Sequence, residues 1–173
     1  MLRDGLDVFT PSLRRVPPES LDPNIKSHNY LNLGMADLEV RDRSSHAWAV
    51  LLDTRGYVSE GIGSNVFFVK NGEILTPNAE FVLPGVSRAV VLELAAGEGI
   101  RVHETDISPE QARDSDEAFI TSTSFCICPV RSYDGVSLDG DGIPGPVTRR
   151  LSDAFAREAG FDFVGQYLDA LKG

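Results

Sequence analysis

The chain has 173 residues, the length of one domain and enough to bury a core without disulfide staples. Its 16 Lys and Arg face 26 Asp and Glu, a formal net charge of −10 at pH 7, whereas a grip on nucleic-acid phosphates or an anionic membrane needs surplus cations. Hydrophobic residues at 42% and charged residues at 24% make an ordinary globular mixture and argue against disorder.

The longest purely apolar run, Ala47–Leu52, falls far short of the roughly 20 residues a membrane helix needs. Met1–Asp7 holds no apolar stretch of signal-peptide length, so the expected location is the cytoplasm. Cys126 and Cys128 sit too close for an unstrained bridge and do not form C-x-x-C, which points to two reduced thiols in a core strand.

Thr10–Asn24 contains Pro11, Pro17, Pro18 and Pro23 and cannot run as one helix. Residues 1–25 are therefore expected to be an extended leading segment, and 26–173 one domain. Leu31–Glu39 predicts a helix with Leu31, Met35 and Leu38 on one face. Ala47–Leu52, the turn Asp53–Gly56 and Tyr57–Glu60 predict a hairpin. A second hairpin joins Asn65–Lys70 to Glu73–Thr76 through Asn71-Gly72, a pair suited to a type I′ turn because both positions need φ > 0. Ser87–Glu98 follows as a helix, with Val90, Val91, Leu94 and Ala95 on one face and Gly97 or Gly99 at its end. Arg101–Glu104, Glu117–Thr121 and Ile127–Ser132 read as strands. Pro146–Ala159 is a helix with Pro146 in its first turn and Gly160 at its stop. Tyr167–Leu171 predicts a last short turn. The pattern is α/β with a mixed sheet.

Four segments could carry chemistry. Lys26, in Ile25-Lys-Ser-His-Asn-Tyr-Leu31, has apolar and aromatic neighbours that could desolvate it and free its amine for Schiff-base chemistry; the plain alternative is a surface lysine. Glu60, in Tyr57-Val-Ser-Glu-Gly-Ile-Gly-Ser-Asn65, could hold a proton on a buried heterocyclic nitrogen, with glycines that admit a close approach; the alternative is a solvated strand end. Leu83-Pro-Gly-Val-Ser-Arg88 opens a helix, where free N–H groups and a hydroxyl suit a phosphate; the alternative is Ser87 as an ordinary N-cap. Thr121-Ser-Thr-Ser124 follows a strand and suits a phosphate or carboxylate oxygen; the alternative is a polar turn. His28, His46 and His103 lack metal-ligand spacing, and the acidic loop Asp134, Asp139, Asp141 lacks EF-hand spacing, so no metal is expected.

Together these motifs, in this order, with Pro129-Val130 and Gly145–Arg150 downstream, resemble the class IV aminotransferases, the fold-type IV pyridoxal-phosphate enzymes. The resemblance covers about residues 12–158. It implies a mixed-sheet pseudo-barrel like the family's large C-terminal domain, and pyridoxal 5′-phosphate as cofactor. It further implies amino-group transfer between a branched-chain-like amino acid and a 2-oxo acid, in a homodimer. Lyase chemistry of the aminodeoxychorismate type, D-amino-acid or amine transamination, and a non-catalytic remnant stand as alternatives.

By the resemblance, Lys26 is the lysine that links to the cofactor, and Tyr30 lies near the phenolic oxygen. Glu60 pairs with the pyridinium and Leu83 packs on the ring. Val86, Ser87 and Thr123 contact the phosphate, and Ser124 lies near the substrate carboxylate. Only 25 residues precede Lys26, so the family's N-terminal domain and its phosphate-binding arginine are expected to be missing from this chain. Three residues separate Lys26 from Tyr30, a spacing closer to the D-amino-acid and lyase branches.

Overall fold

A computed structural model describes residues 1–138 and 140–170. The strands are β1 (Leu6–Phe9), β2 (Ala47–Leu52), β3 (Val58–Gly61), β4 (Asn65–Lys70), β5 (Glu73–Thr76), β6 (Val102–Glu104), β7 (Glu117–Ser122), β8 (Cys126–Tyr133) and β9 (Val136–Ser137). The helices are α1 (Leu31–Val40), α2 (Val86–Gly97), α3 (Pro109–Arg113), α4 (Pro146–Ala159) and α5 (Phe163–Ala170).

The strands form one mixed sheet in the order β3-β2-β1-β8-β7-β4-β5-β6, with β9 beside β8. β1 runs parallel to both β2 and β8, and β5 parallel to β6. The other pairings are antiparallel. The sheet curls back on itself. β3, at one end of the order, meets β4 through a tight turn in which Gly61 and Ser64 bridge. The run from β3 round to β4 therefore closes into a barrel-like ring, and β5 and β6 extend from it.

Alternation along each strand fills that ring. Leu6 and Val8, Val50 and Leu52, Val58, Val66 and Phe68, Ala118 and Ile120, and Cys128 and Val130 form one buried cluster. The opposite faces of β4 and β7 send out Phe67 and Phe119, which stack at 4.8 Å between ring centroids. They pack with Val91 and Ala95 of α2 and Leu151 of α4. α1 covers β2, setting Leu33, Ala36 and Val40 against Ala49 and Leu51.

The expected hairpins both form. Asn71 and Gly72 take φ of 53° and 77°, as a type I′ turn requires. α4 ends where Gly160 turns left-handed at φ 64°. Cys126 and Cys128 are free thiols on β8, and burial pushes Cys128 up to about 12.

Three expectations need correction. β1 lies between β2 and β8, so residues 1–25 are more than a leading segment: they supply a central strand. The apolar face of α1 is also reversed. Leu31, Met35 and Leu38 are exposed, because Leu33, Ala36 and Val40 make the tighter fit on β2. Finally, α5 starts at Phe163, four residues before the expected turn; residue 171 of that turn lies outside the described residues, as does Asp139 of the acidic loop.

Candidate active site

At one end of the ring, the close of β3, the start of β4 and the close of β7 surround a cavity of about 380 Å³. Lys26, Tyr30, Glu60 and Leu83 line it, and so do Val86, Ser87 and Thr123. Segments scattered over a hundred positions thus meet in one place. Ser124 is not in the lining: it sits exposed on the β7–β8 turn, its amide donating to Ser122 Oγ at 3.2 Å.

Glu60 is only 4% exposed, which removes the solvated-strand-end alternative. Burial pushes its carboxyl upward from the ordinary value. Opposing that push, Arg15 Nε donates to Oε1 at 2.8 Å and the Leu83 amide donates to Oε2 at 2.9 Å, with the Lys26 charge nearby. The glycine beside it does admit a close approach, though from within the protein. A Cβ at Gly61 would lie 2.5 Å from Ser64 Oγ and 2.8 Å from Ala49 O. Trp48 Nε1 donates to the same Ser64 hydroxyl at 3.0 Å, so this glycine serves the packing of the β3–β4 turn.

Two helices show opposite treatment of their first turns. At α4, Glu117 reaches across from β7 and accepts from the Val147 and Thr148 amides, each at 2.9 Å. At α2, Gly85 is the N-cap residue and makes no side-chain capping bond. Ser87 lies inside the helix, buried on the cavity wall, so it is not the N-cap. The first N–H groups of α2 remain available to an anion, with the positive end of the helix dipole behind them. No side chain among the described residues does for α2 what Glu117 does for α4.

Lys26 lies on an exposed loop, so the partial desolvation expected from its neighbours is absent: residues 24–30 are open to solvent. His28 in that loop takes a left-handed φ of 59° and its ring meets Tyr30 edge-on at 5.9 Å.

Three lining residues escaped the sequence reading. Arg15 is the second of two adjacent arginines in a proline-rich segment, and its partner is 45 positions away. Asn65 donates from Nδ2 to Leu83 O at 2.9 Å, tying β4 to the loop before α2. Thr121 is buried, lines the cavity, and its hydroxyl has no hydrogen-bond partner among the described residues. The Tyr-Val-Ser-Glu…Asn and Thr-Ser-Thr-Ser motifs contain the last two, but only the register Asn65↔Thr121 shows why they belong together.

A lysine, a buried carboxylate and an uncapped helix start stand around one cavity, an arrangement with the donors to receive an anionic ligand. The model of the amino-transferase class IV family matches residues 2–133, and the chain belongs to that family. It is 38% identical over 156 residues to the branched-chain-amino-acid aminotransferase of Escherichia coli strain K12, covering 89% of this chain and 50% of that protein. Its fold superposes on the branched-chain aminotransferase of Thermoproteus uzoniensis, solved with norvaline, with a TM-score of 0.84 and 32% identity over 94% of this chain and 52% of that one. The PLP-form of the enzyme from Thermobaculum terrenum gives a TM-score of 0.84 at 33% identity, covering 94% of this chain and 52% of that one. The chain spans between 27% and 52% of the length of the first curated relatives it matches.

Proposed function

We propose that this chain holds pyridoxal 5′-phosphate and forms the cofactor-facing part of an enzyme that moves an amino group between a branched-chain-like amino acid and a 2-oxo acid. The observation that carries the reading is the shared cavity of Lys26, Glu60 and the uncapped start of α2. The relatives' names supply the substrate class.

The residues fit the cofactor by the chemistry of their donors. An anion needs free N–H groups and hydroxyls, which α2, Ser87 and Thr123 offer. The Thr121 hydroxyl, without a partner among the described residues, is one more donor on the cavity wall. When bound, pyridoxal phosphate supplies an electron sink for the substrate's α-carbon. The chain's own residues do the rest. Lys26 Nζ would be the nucleophile that anchors the cofactor, and as a free amine it would hold and move the substrate's α-proton. Glu60 provides the negative charge that keeps a proton on the ring nitrogen. Leu83 and Tyr30 pack beside the ring, and Val86 and Ser87 present the helix-start amides. Ser124, exposed on the β7–β8 turn, is assigned to the substrate carboxylate.

We further infer a homodimer in the cytoplasm. The exposed row Leu31, Met35 and Leu38 supports association, and the two free thiols support a reducing compartment. No helix among the described residues is long and apolar enough to cross a membrane.

The test is a titration of the full chain with pyridoxal phosphate, followed by visible absorbance and by mass. A new absorbing species that disappears in Lys26→Ala supports the proposal. Binding that survives unchanged in Lys26→Ala rejects it.

A further inference from the structure

We propose that Arg15 is a positioning residue: its guanidinium holds Glu60 as an ionised carboxylate aimed at the cavity. This rests on the proposed role of Glu60 toward the ring nitrogen.

The geometry is specific. Arg15 is itself fixed from the backbone. Its amide donates to Leu52 O at 2.8 Å, and Arg14 bridges to Leu52 in parallel fashion. Asn32 Nδ2 donates to Arg14 O at 2.9 Å, so α1 clamps the same stretch. The leading segment is thus threaded alongside β2, and its one inward cation meets the end of β3. Arg15 Nε reaches Glu60 Oε1 at 2.8 Å, and the two side chains are 12% and 5% exposed. The second carboxylate oxygen is held by the Leu83 amide. Each oxygen is therefore held by a donor from a different segment, which restrains the carboxylate's orientation.

The charge argument points the same way. A carboxylate buried without a partner gives up its charge, and a neutral Glu60 could not retain a proton on a ring nitrogen. Three groups work against that neutralisation: Arg15 from the leading segment, Lys26 from the loop before α1, and the Leu83 amide from the loop before α2. Lys26 sits on an exposed loop and is the proposed nucleophile, so it is not a fixed neighbour. Arg15 is largely buried beside the carboxylate and tied to it through Nε, which makes it the constant partner. An ion pair serving only stability would not need to stand on the wall of the cavity, yet Arg15 and Glu60 both line it.

The experiment reads the ionisation of Glu60 directly, in the full chain without cofactor. Carbon-13 NMR of glutamate-labelled protein follows the Glu60 carboxyl through pH, with Glu60→Gln identifying its signal. Arg15→Gln removes the charge and should raise the Glu60 midpoint by about one pH unit or more. Arg15→Lys keeps the charge but loses the Nε–H donor, and should fall between Arg15→Gln and the parent. If Arg15→Gln fails to fold, Arg15→Met, which keeps an apolar stem without the charge, takes its place. A midpoint equal to the parent's in whichever of these two folds overturns the proposal. The role of Glu60 fails separately: it falls if bound pyridoxal phosphate has the same spectrum in Glu60→Gln as in the parent, whatever the Arg15 variants show.

Discussion

Gly85 and Asn65 are in direct contact: a Cβ on Gly85 would stand 2.4 Å from Asn65 Oδ1. The other end of the same amide donates to Leu83 O. One side chain therefore sets both the approach to α2 and its N-cap, and the helix start can sit against Asn65 only because position 85 lacks a side chain. Gly85→Ala should push α2 and Asn65 apart and lower stability by about 1–3 kcal/mol, the usual range for overpacking. Gly34→Ala is the control. It lies inside α1 with open space around a would-be Cβ, and should stabilise by about 0.5–1 kcal/mol. Chemical denaturation of the two variants checks the opposite signs; a neutral Gly85→Ala would show the contact to be slack.

Lys26 should be the residue that borohydride fixes to pyridoxal phosphate. Lys70 is the informative competitor, and the structure says why it should lose. Its ammonium is held by Asp116 at 3.2 Å and by Asp114, and these partners raise its pKa, so it stays protonated and non-nucleophilic. Peptide mapping after reduction should place the label on Lys26, and Lys26→Ala should lose it entirely. A label on Lys70 would sink the assignment.

Asp7 gives a pH signature to the centre of the sheet. Burial pushes its carboxyl up, but Arg131, Ser44 and Ser132 outweigh that and bring it down from 3.8 to about 2. A depressed folded value means stability that is present above the unfolded value and lost as pH falls through the folded one. The shift of nearly two pH units corresponds to about 2 kcal/mol at 1.36 kcal/mol per unit. Asp7→Asn should therefore be less stable than the parent by that order at neutral pH. The gap should close between about pH 4 and pH 2. Denaturation midpoints over that window decide it, and a gap that persists at pH 2 would assign the cost to packing.

Local chemistry made much of the fold legible. Asn71-Gly72 dictated the β4–β5 hairpin, and Pro146 with Gly160 bracketed α4, because turn and cap preferences act over a few residues. β1 was not legible. Leu-Asp-Val-Phe is four residues long and carries a carboxylate whose partner, Arg131, is 124 positions away. The orientation of α1 failed for another reason: periodicity locates an apolar stripe, yet Leu31, Met35 and Leu38 compete with Leu33, Ala36 and Val40 for the sheet, and only packing decides. α3 left a readable trace in Ser108-Pro-Glu-Gln111, which forms a capping box. At the site, the motif residues were legible as types. Arg15 was not, since its role exists only once β2 and β3 are folded against the leading segment.

Ser87 offers the sharpest test of the anion site at α2. If the helix start receives a phosphate, two substitutions there should differ by charge far more than by size. Ser87→Ala removes one hydroxyl and leaves the N–H groups and dipole in place. A net hydrogen bond contributes about 0.5–1.5 kcal/mol, so affinity for pyridoxal phosphate should weaken roughly 2- to 10-fold. Ser87→Asp puts a carboxylate where the phosphate would sit. Two like charges about 4 Å apart repel by about 1 kcal/mol in water and about 4 kcal/mol in a partly shielded setting. Ser87 is only 6% exposed, so the second figure is the closer guide, and the loss should exceed 100-fold. Added salt should recover little of it, because a buried pair is poorly screened. The same titration on Glu117→Gln separates site from fold. That change weakens the cap of α4 and should lower the melting temperature, yet leave cofactor affinity unmoved, since Glu117 serves a different helix. Equal affinities for Ser87→Ala and Ser87→Asp would place the phosphate elsewhere and leave the bare start of α2 without a ligand.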